Sequence, residues 1–193
     1  MPLAELLLLF LMYVVVPAWL LAGLADWACH RAMRIEETSG VRETLLHLLQ
    51  LGLVGVPLLA VLFLEVNALL LLAMAVCVVL HHAAAIWDVH YADATRRIPP
   101  VEQHVHAVLE MTPVFAFATV AMLRWPEVVA LLQGGGSFVL EFKRTPLPAG
   151  YLAGVLVAVV LLGLVPYGEE LWRTGRVSAT RAGRAATGAL RRA

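Results

Sequence analysis

The sequence predicts an all-α integral membrane protein with five transmembrane helices, of which helices 1–4 form an antiparallel bundle. Two observations predict this fold. Hydrophobic residues make up 61% and charged residues 15% of the 193 positions, with a mean hydropathy of +0.83, which is not the composition of a soluble domain. Five apolar runs approach the roughly 20 residues that a helix needs to cross the hydrocarbon core. These runs lie at residues 3–25, 45–64, 68–86, 105–123 and 151–167.

Helices 1 and 2 are predicted to form a hairpin. Helix 1 extends past its apolar run until the Thr-Ser-Gly sequence at residues 38–40 ends it, and helix 2 follows at once. Each helix carries an acid four residues before a histidine, which places both side chains on one face. The pairs are Asp26 with His30 and Glu43 with His47. A short turn brings the two pairs together.

Helices 3 and 4 place further histidines and acids at the same end of the bundle. His81 and Asp88 share one face of helix 3, because seven residues are about two helical turns. A Pro-Pro pair then begins helix 4. Glu102, His106 and Glu110 follow at intervals of four residues and are predicted to form one stripe.

The segment between helices 4 and 5, about residues 125–148, is predicted to be an external connector. Its glycine run indicates a flexible turn, and the alternation in residues 137–144 indicates a short amphipathic strand. Helix 5 has no ionisable residue before Glu169, so we expect it only to pack. Residues 1–172 thus form one transmembrane domain. Residues 173–193, with six arginines and no acid, form a basic, disordered tail.

The distribution of basic residues predicts the orientation in the membrane. By the positive-inside rule, the side with most arginines is the cytoplasm. The C-terminus is therefore cytoplasmic, the N-terminus is outside, and a bacterial inner membrane is the expected location. The cytoplasmic arginines are Arg31, Arg34, Arg42, Arg96, Arg97, Arg173, Arg176, Arg181, Arg184, Arg191 and Arg192, whereas Arg124, Lys143 and Arg144 are external. We interpret Arg96 and Arg97 as topology determinants rather than as substrate contacts.

The residues suited to chemistry concentrate at the cytoplasmic ends of helices 1–4, and five of the seven histidines lie within residues 80–110. Ionisable side chains are costly inside a membrane, and metal ions would supply the positive charge that the carboxylates need. Mixed imidazole and carboxylate ligands favour two iron ions, with zinc or manganese as alternatives. The predicted ligands are Asp26, His30, Glu43, His47, His81, Asp88, Glu102, His106 and Glu110, of which one or two need not touch the metal. Glu102 and Asp88 are also the candidate catalytic bases.

Other polar residues of this region have no assigned role. His82, His90 and His104 point away from the predicted ligand faces. Cys29 and Cys77 lie on different helices at different depths, so we expect no disulfide between them.

The motifs Asp26-x-x-x-His30, Glu43-x-x-x-His47, His81-His82 and Glu102-x-x-x-His106-x-x-x-Glu110 loosely resemble the histidine boxes of membrane di-iron desaturases and hydroxylases. Those enzymes carry H-x-x-x-H and H-x-x-H-H boxes. The carboxylate content is similar to that of ferritin-type di-iron bundles, which use E-x-x-H instead. The resemblance implies an O2-dependent oxidoreductase that acts on a lipid or other hydrophobic substrate from the bilayer. Its electrons would come from a separate donor.

Three alternative functions remain open at this point. A zinc-dependent intramembrane hydrolase would use one metal ion with Glu102 or Asp88 as base. A bis-histidine haem protein would use a facing pair such as His47 and His106 to pass electrons to quinone. A proton or metal transporter would need polar groups along the whole span, and the external half offers little besides Glu65. A nucleic-acid partner is not expected, and the oligomeric state is left open.

Overall fold

The computed structural model describes residues 1–190 and is almost entirely helical. Five helices in this range are long and apolar enough to cross a membrane, as predicted, and are called spans 1 to 5. Their bounds are Leu3–Met33, Val41–Phe63, Ala68–Thr95, Pro100–Leu123 and Ala149–Arg184. We call the end where spans 2 and 4 begin the histidine end, and the opposite end the connector end.

The spans pack as a ring rather than as the predicted bundle of helices 1–4. Span 1 contacts span 4, span 4 contacts span 3, span 3 contacts span 2, and span 5 closes the ring between spans 2 and 1. Span 5 therefore lies between helices 1 and 2, which were predicted to pack directly against each other. Small residues permit this approach: a Cβ atom at Gly163 of span 5 would lie 3.5 Å from Leu51 Cδ1 of span 2.

Two prolines shape spans 1 and 5. Span 1 contains a π-helical turn at Leu11–Val15 just before Pro17, and span 5 contains one at Val160–Leu164 just before Pro166. A proline lacks the amide hydrogen of a regular helix and its ring clashes with the preceding turn, so a wider turn accommodates it. In span 5 this turn immediately precedes the residues that reach the centre of the ring.

The turn between spans 1 and 2 is compact. Span 1 ends at Arg34, which has a left-handed backbone with φ of 53°, and a 3-10 turn follows at Ile35–Glu37. Ile35 is completely buried and anchors the turn against the bundle. Tyr91 Oη of span 3 donates a hydrogen bond to the carbonyl oxygen of Ser39 at 3.0 Å. The turn is thereby held beside span 3.

The connector differs from its prediction. It begins with a helix at Trp125–Leu132, and residues 137–144 form no strand within the described range, only an isolated antiparallel bridge between Leu64 and Phe142. Glu65 accepts a hydrogen bond from the backbone amide of Arg144 at 3.0 Å, and this bond lowers the pKa of Glu65. One bridge replaces the predicted strand because the segment has only the short turn after span 2 to pair with.

The tail after span 5 is described as far as Leu190. The last helix runs from Val165 to Leu190, so the described part of the tail is helical, while Arg191 and Arg192 lie outside the described residues. Alanine and arginine are among the best helix formers, and this propensity continues span 5 past the apolar region. Arg173 pairs with Glu36 and holds the beginning of the tail against the turn after span 1.

Candidate metal centre

A buried polar cluster fills the middle of the ring at the histidine end. All five spans contribute to it, together with the loop between spans 3 and 4. The buried members are Asp26, His30, Glu43, His47, His81, Asp88, Arg96, Glu102 and Glu170, and the side chain of His106 is only 11% exposed. Seven of the nine predicted ligands are thus brought together around one centre. The remaining two, His81 and Glu110, lie at its edge.

Glu170 of span 5 orients two histidines at once. Its Oε2 lies 3.1 Å from His30 Nδ1, and its Oε1 lies 2.9 Å from His47 Nδ1. The two rings stack with centroids 4.3 Å apart and an interplanar angle of 10°. A carboxylate only accepts hydrogen bonds, so both Nδ1 atoms carry the proton. Both Nε2 atoms therefore face away from Glu170 toward the other carboxylates.

One group of possible ligand atoms consists of Asp26, His30 and His106. Asp26 Oδ1 lies 3.0 Å from His106 Nε2 and 3.3 Å from His30 Nε2. The other oxygen, Oδ2, accepts a hydrogen bond from Tyr167 Oη at 3.2 Å. This bond leaves Oδ1 directed at the two imidazoles.

The second group consists of His30, Glu43 and His47, with Asp88 beside it. Glu43 Oε1 lies 4.0 Å from the Nε2 atoms of both histidines. Asp88 Oδ2 lies 3.2 Å from His47 Nε2 and accepts a hydrogen bond from Gln50 Nε2 at 3.0 Å. His30 belongs to both groups, so the two form one continuous site.

Arg96 is part of this cluster, which corrects its interpretation as a topology determinant. Its Nη2 donates to Glu43 Oε1 at 2.5 Å and its Nη1 donates to Glu102 Oε2 at 3.0 Å. Its side chain is 3% exposed, whereas Arg97 is exposed. Glu102 Oε1 also bonds to Arg96 and lies 3.5 Å from His30 Nε2. A carboxylate that binds a guanidinium through both oxygens is a weak proton acceptor, which disfavours Glu102 as the catalytic base.

Several buried atoms in the cluster have no hydrogen-bond partner among the described residues. They are His30 Nε2, His47 Nε2, Asp26 Oδ1, Asp88 Oδ1 and His81 Nδ1. Buried polar atoms are normally satisfied, because leaving one unpaired costs about 1–3 kcal/mol. When the imidazoles are neutral, their Nε2 lone pairs face carboxylate oxygens, and acceptors facing acceptors repel. A cation between them would remove this repulsion.

The separations between these atoms fit metal coordination. Two ligand atoms bound about 2.1 Å from one ion lie about 3.0 Å apart at a right angle and about 3.4 Å apart at the tetrahedral angle. The closest nitrogen-to-oxygen distances around Asp26 and Asp88 are 3.0, 3.3 and 3.2 Å. The donor set therefore fits one or two divalent ions.

The charge of the cluster supports the same conclusion. Five buried carboxylates, those of Asp26, Glu43, Asp88, Glu102 and Glu170, face one buried guanidinium. Four negative charges remain uncompensated when the histidines are neutral. Uncompensated buried charge is strongly destabilising. Two divalent cations would neutralise it completely.

A cavity of about 40 Å³ lies among these side chains. Because a water molecule needs about 10–15 Å³ by this measure, the cavity has room for roughly three water-sized groups. His81 and Glu110 line it but belong to neither three-residue ligand group. His106 and Glu110 also line a second, open cavity of about 310 Å³ beside Asp93. This second cavity forms a polar approach between spans 3 and 4.

Glu170, Arg96 and Tyr167 were missed by sequence reasoning. The Glu169-Glu170 pair was visible, yet only Glu170 turns into the ring, while Glu169 bonds to Trp27 and Arg31 near the surface. Three histidines lie outside the cluster: the Nδ1 atoms of His82, His90 and His104 each lie within 2.9 Å of the carbonyl oxygen four residues earlier.

We expect Glu170→Gln to weaken metal binding about 10- to 100-fold, the range for groups that orient metal-bound histidines. An amide has one acceptor oxygen, so it can hold only one of the two Nδ1–H groups. The measurement is a competition titration with a chelator of known affinity. Glu169→Gln, at the adjacent position on the surface, is the matched control and should bind metal as wild type does. Equal weakening in both variants would contradict the orienting role.

No protein-family model matches this sequence, and no curated protein or solved structure matches it. The functional assignment accordingly depends on the geometry of the cluster.

Proposed function

We propose that this protein is a membrane-embedded, metal-dependent oxidoreductase, with two iron ions, that acts on a lipid or other hydrophobic substrate. One observation carries the proposal: imidazole nitrogens and carboxylate oxygens face each other at 3.0–3.3 Å inside an apolar bundle. Among these atoms, His30 Nε2, His47 Nε2 and Asp26 Oδ1 have no hydrogen-bond partner among the described residues. Nitrogen and oxygen ligands without thiolates suit iron. A separate electron donor and a bacterial inner membrane complete the proposal.

The residues divide between two positions. Asp26 and His106 would hold one ion, and Glu43, His47 and Asp88 would hold the other, with His30, which belongs to both ligand groups, between them. Iron at these positions would supply electrons for the reduction of O2. The role of the chain is to keep both imidazoles neutral and oriented, to balance the negative charge and to exclude bulk water.

Different residues perform these tasks. Glu170 holds the two Nδ1 protons, and the guanidinium of Arg96 pairs with the buried carboxylates of Glu43 and Glu102. Glu110 and His106 line the polar approach between spans 3 and 4, which would admit water and protons to the site. Asp88, whose Oδ1 has no hydrogen-bond partner among the described residues, is the better placed of the two candidate bases.

The size of the small cavity and the position of the polar cluster help to distinguish the three alternative functions. A space of about 40 Å³ cannot contain a porphyrin, so it favours metal ions over a haem group. The polar cluster occupies only the histidine end, while the apolar core clusters occupy the rest of the ring, which disfavours a transport path. A zinc hydrolase shares the ligand chemistry and differs in the metal it needs.

The test is O2 uptake by the purified protein in lipid nanodiscs. We expect iron-loaded protein with a chemical reductant and a long-chain lipid substrate to consume O2, and we expect zinc-loaded protein to consume none. His47→Ala should reduce uptake to the background rate, whereas His104→Ala, at an exposed position outside the cluster, should not. Substrate hydrolysis by the zinc form, without O2 uptake by the iron form, would contradict the oxidoreductase and identify the hydrolase.

A further inference from the structure

A larger cavity lies between the polar cluster and the connector end of the ring. Its volume is about 140 Å³, and all five spans line it. Its walls are almost entirely apolar, with side chains such as Leu58, Met74 and Phe117. Trp19 lines both this cavity and the polar one, so one buried indole separates the two spaces. An elongated apolar molecule is the kind of ligand that such a space accepts.

Among the described residues that line this cavity, Lys143 alone is charged. Lys143 belongs to the connector. Its backbone amide donates a hydrogen bond to the carbonyl oxygen of Phe63 at 2.9 Å, which holds the connector against the end of span 2. Burial lowers the pKa of the Lys143 ammonium group, against an opposing attraction from Glu65. Glu65 lies beyond salt-bridge distance, and no carboxylate among residues 1–190 lies within 4.0 Å of this ammonium. The neighbouring cations are occupied: Arg124 pairs with Glu65, and Arg144 pairs with Glu141.

The cavity runs along span 1 from the connector end toward the cluster. Near its connector end, Tyr151 Oη donates a hydrogen bond to the carbonyl oxygen of Met12 at 3.3 Å. Trp19 lies seven residues further along span 1, which is about 10 Å at 1.5 Å per residue, and Asp26 lies another 10 Å or so beyond it. An alkyl chain whose head group lay at Lys143 would therefore extend toward the polar cluster.

We propose that this cavity binds a long-chain fatty acid, with its carboxylate at Lys143 and its alkyl chain directed toward Trp19. Charge complementarity selects this occupant, because an unpaired, partly buried ammonium at the mouth of an apolar space is stabilised by an anionic head group. This proposal rests on the proposed function only for the reaction of the alkyl chain after binding. Binding itself involves no metal.

The first test compares a fatty acid with the alcohol of the same chain length. We expect metal-stripped protein in nanodiscs to bind the acid about tenfold more tightly than the alcohol in a fluorescent fatty-acid displacement assay. Lys143→Ala should abolish this preference, and Arg144→Ala, which removes an adjacent exposed cation, should preserve it. Equal binding of acid by wild type and Lys143→Ala would overturn the proposal, as would tighter binding of an alkyl ammonium.

The second test fills the cavity. Ala116 lines it, whereas Ala118 on the same helix is exposed. We expect Ala116→Trp to weaken binding of acid and alcohol alike by at least about tenfold, and Ala118→Trp to have no effect. Unchanged binding in Ala116→Trp would overturn the proposed location. The protein is free of metal in both tests. A failure of fatty-acid binding would therefore not contradict the metal centre, and the absence of a metal centre would not contradict fatty-acid binding.

Discussion

Arg96→Met is expected to destabilise the protein by about 3–5 kcal/mol, the cost of removing one partner from a buried ion pair. The substitution keeps much of the side-chain volume but leaves Glu43 and Glu102 buried without their guanidinium. Both carboxylates are completely buried, so solvent cannot replace the lost partner. The measurement is the unfolding midpoint of metal-free protein in detergent with increasing denaturant.

Arg97→Met is the matched control for this prediction. Arg97 is adjacent and exposed, and it was predicted to share the topological role of Arg96. Its substitution should change stability by less than about 0.5 kcal/mol, as is usual at surface positions. If both variants lost stability equally, the buried ion-pair network would not be the cause, and membrane topology would explain the effect instead.

His30→Ala is expected to remove both metal ions. His30 belongs to both groups of possible ligands, and its ring stacks on that of His47. Metal content should fall to less than about a tenth of the wild-type value. His106→Ala should remove only one ion, because His106 belongs to one group.

The control for the histidine variants is His104→Ala. This side chain is exposed, and its Nδ1 lies 2.7 Å from the carbonyl oxygen of Pro100, outside the cluster. The His104 variant should retain the full metal content. Full occupancy in His30→Ala would show that the metal, if present, is bound elsewhere.

Local spacing explains which site residues could be predicted. Asp26 and His30, like Glu43 and His47, are four residues apart on one helix, and this separation places two side chains on one face whatever the rest of the fold does. The prediction that two residues share one face becomes less reliable as their separation along a helix increases. Glu110 is eight residues from Glu102, and at about 100° per residue it has rotated some 80° away. It therefore lies at the edge of the cluster.

Tertiary packing explains what could not be predicted. Glu170 reaches the site only because span 5 inserts between spans 1 and 2, and no local pattern in an apolar helix specifies its neighbours. Arg96 enters the site because the loop after span 3 folds inward. A positive charge next to a membrane helix is usually a topology signal, and only its surroundings distinguish the two roles.

Cations are expected to bridge the buried imidazoles and carboxylates at the histidine end. The most direct measurement is the elemental analysis of the purified full-length protein, expressed with iron, zinc and manganese all available. The wild type should contain two iron atoms per chain, and His30→Ala should contain almost none. A wild-type metal content no higher than that of His30→Ala would contradict this expectation.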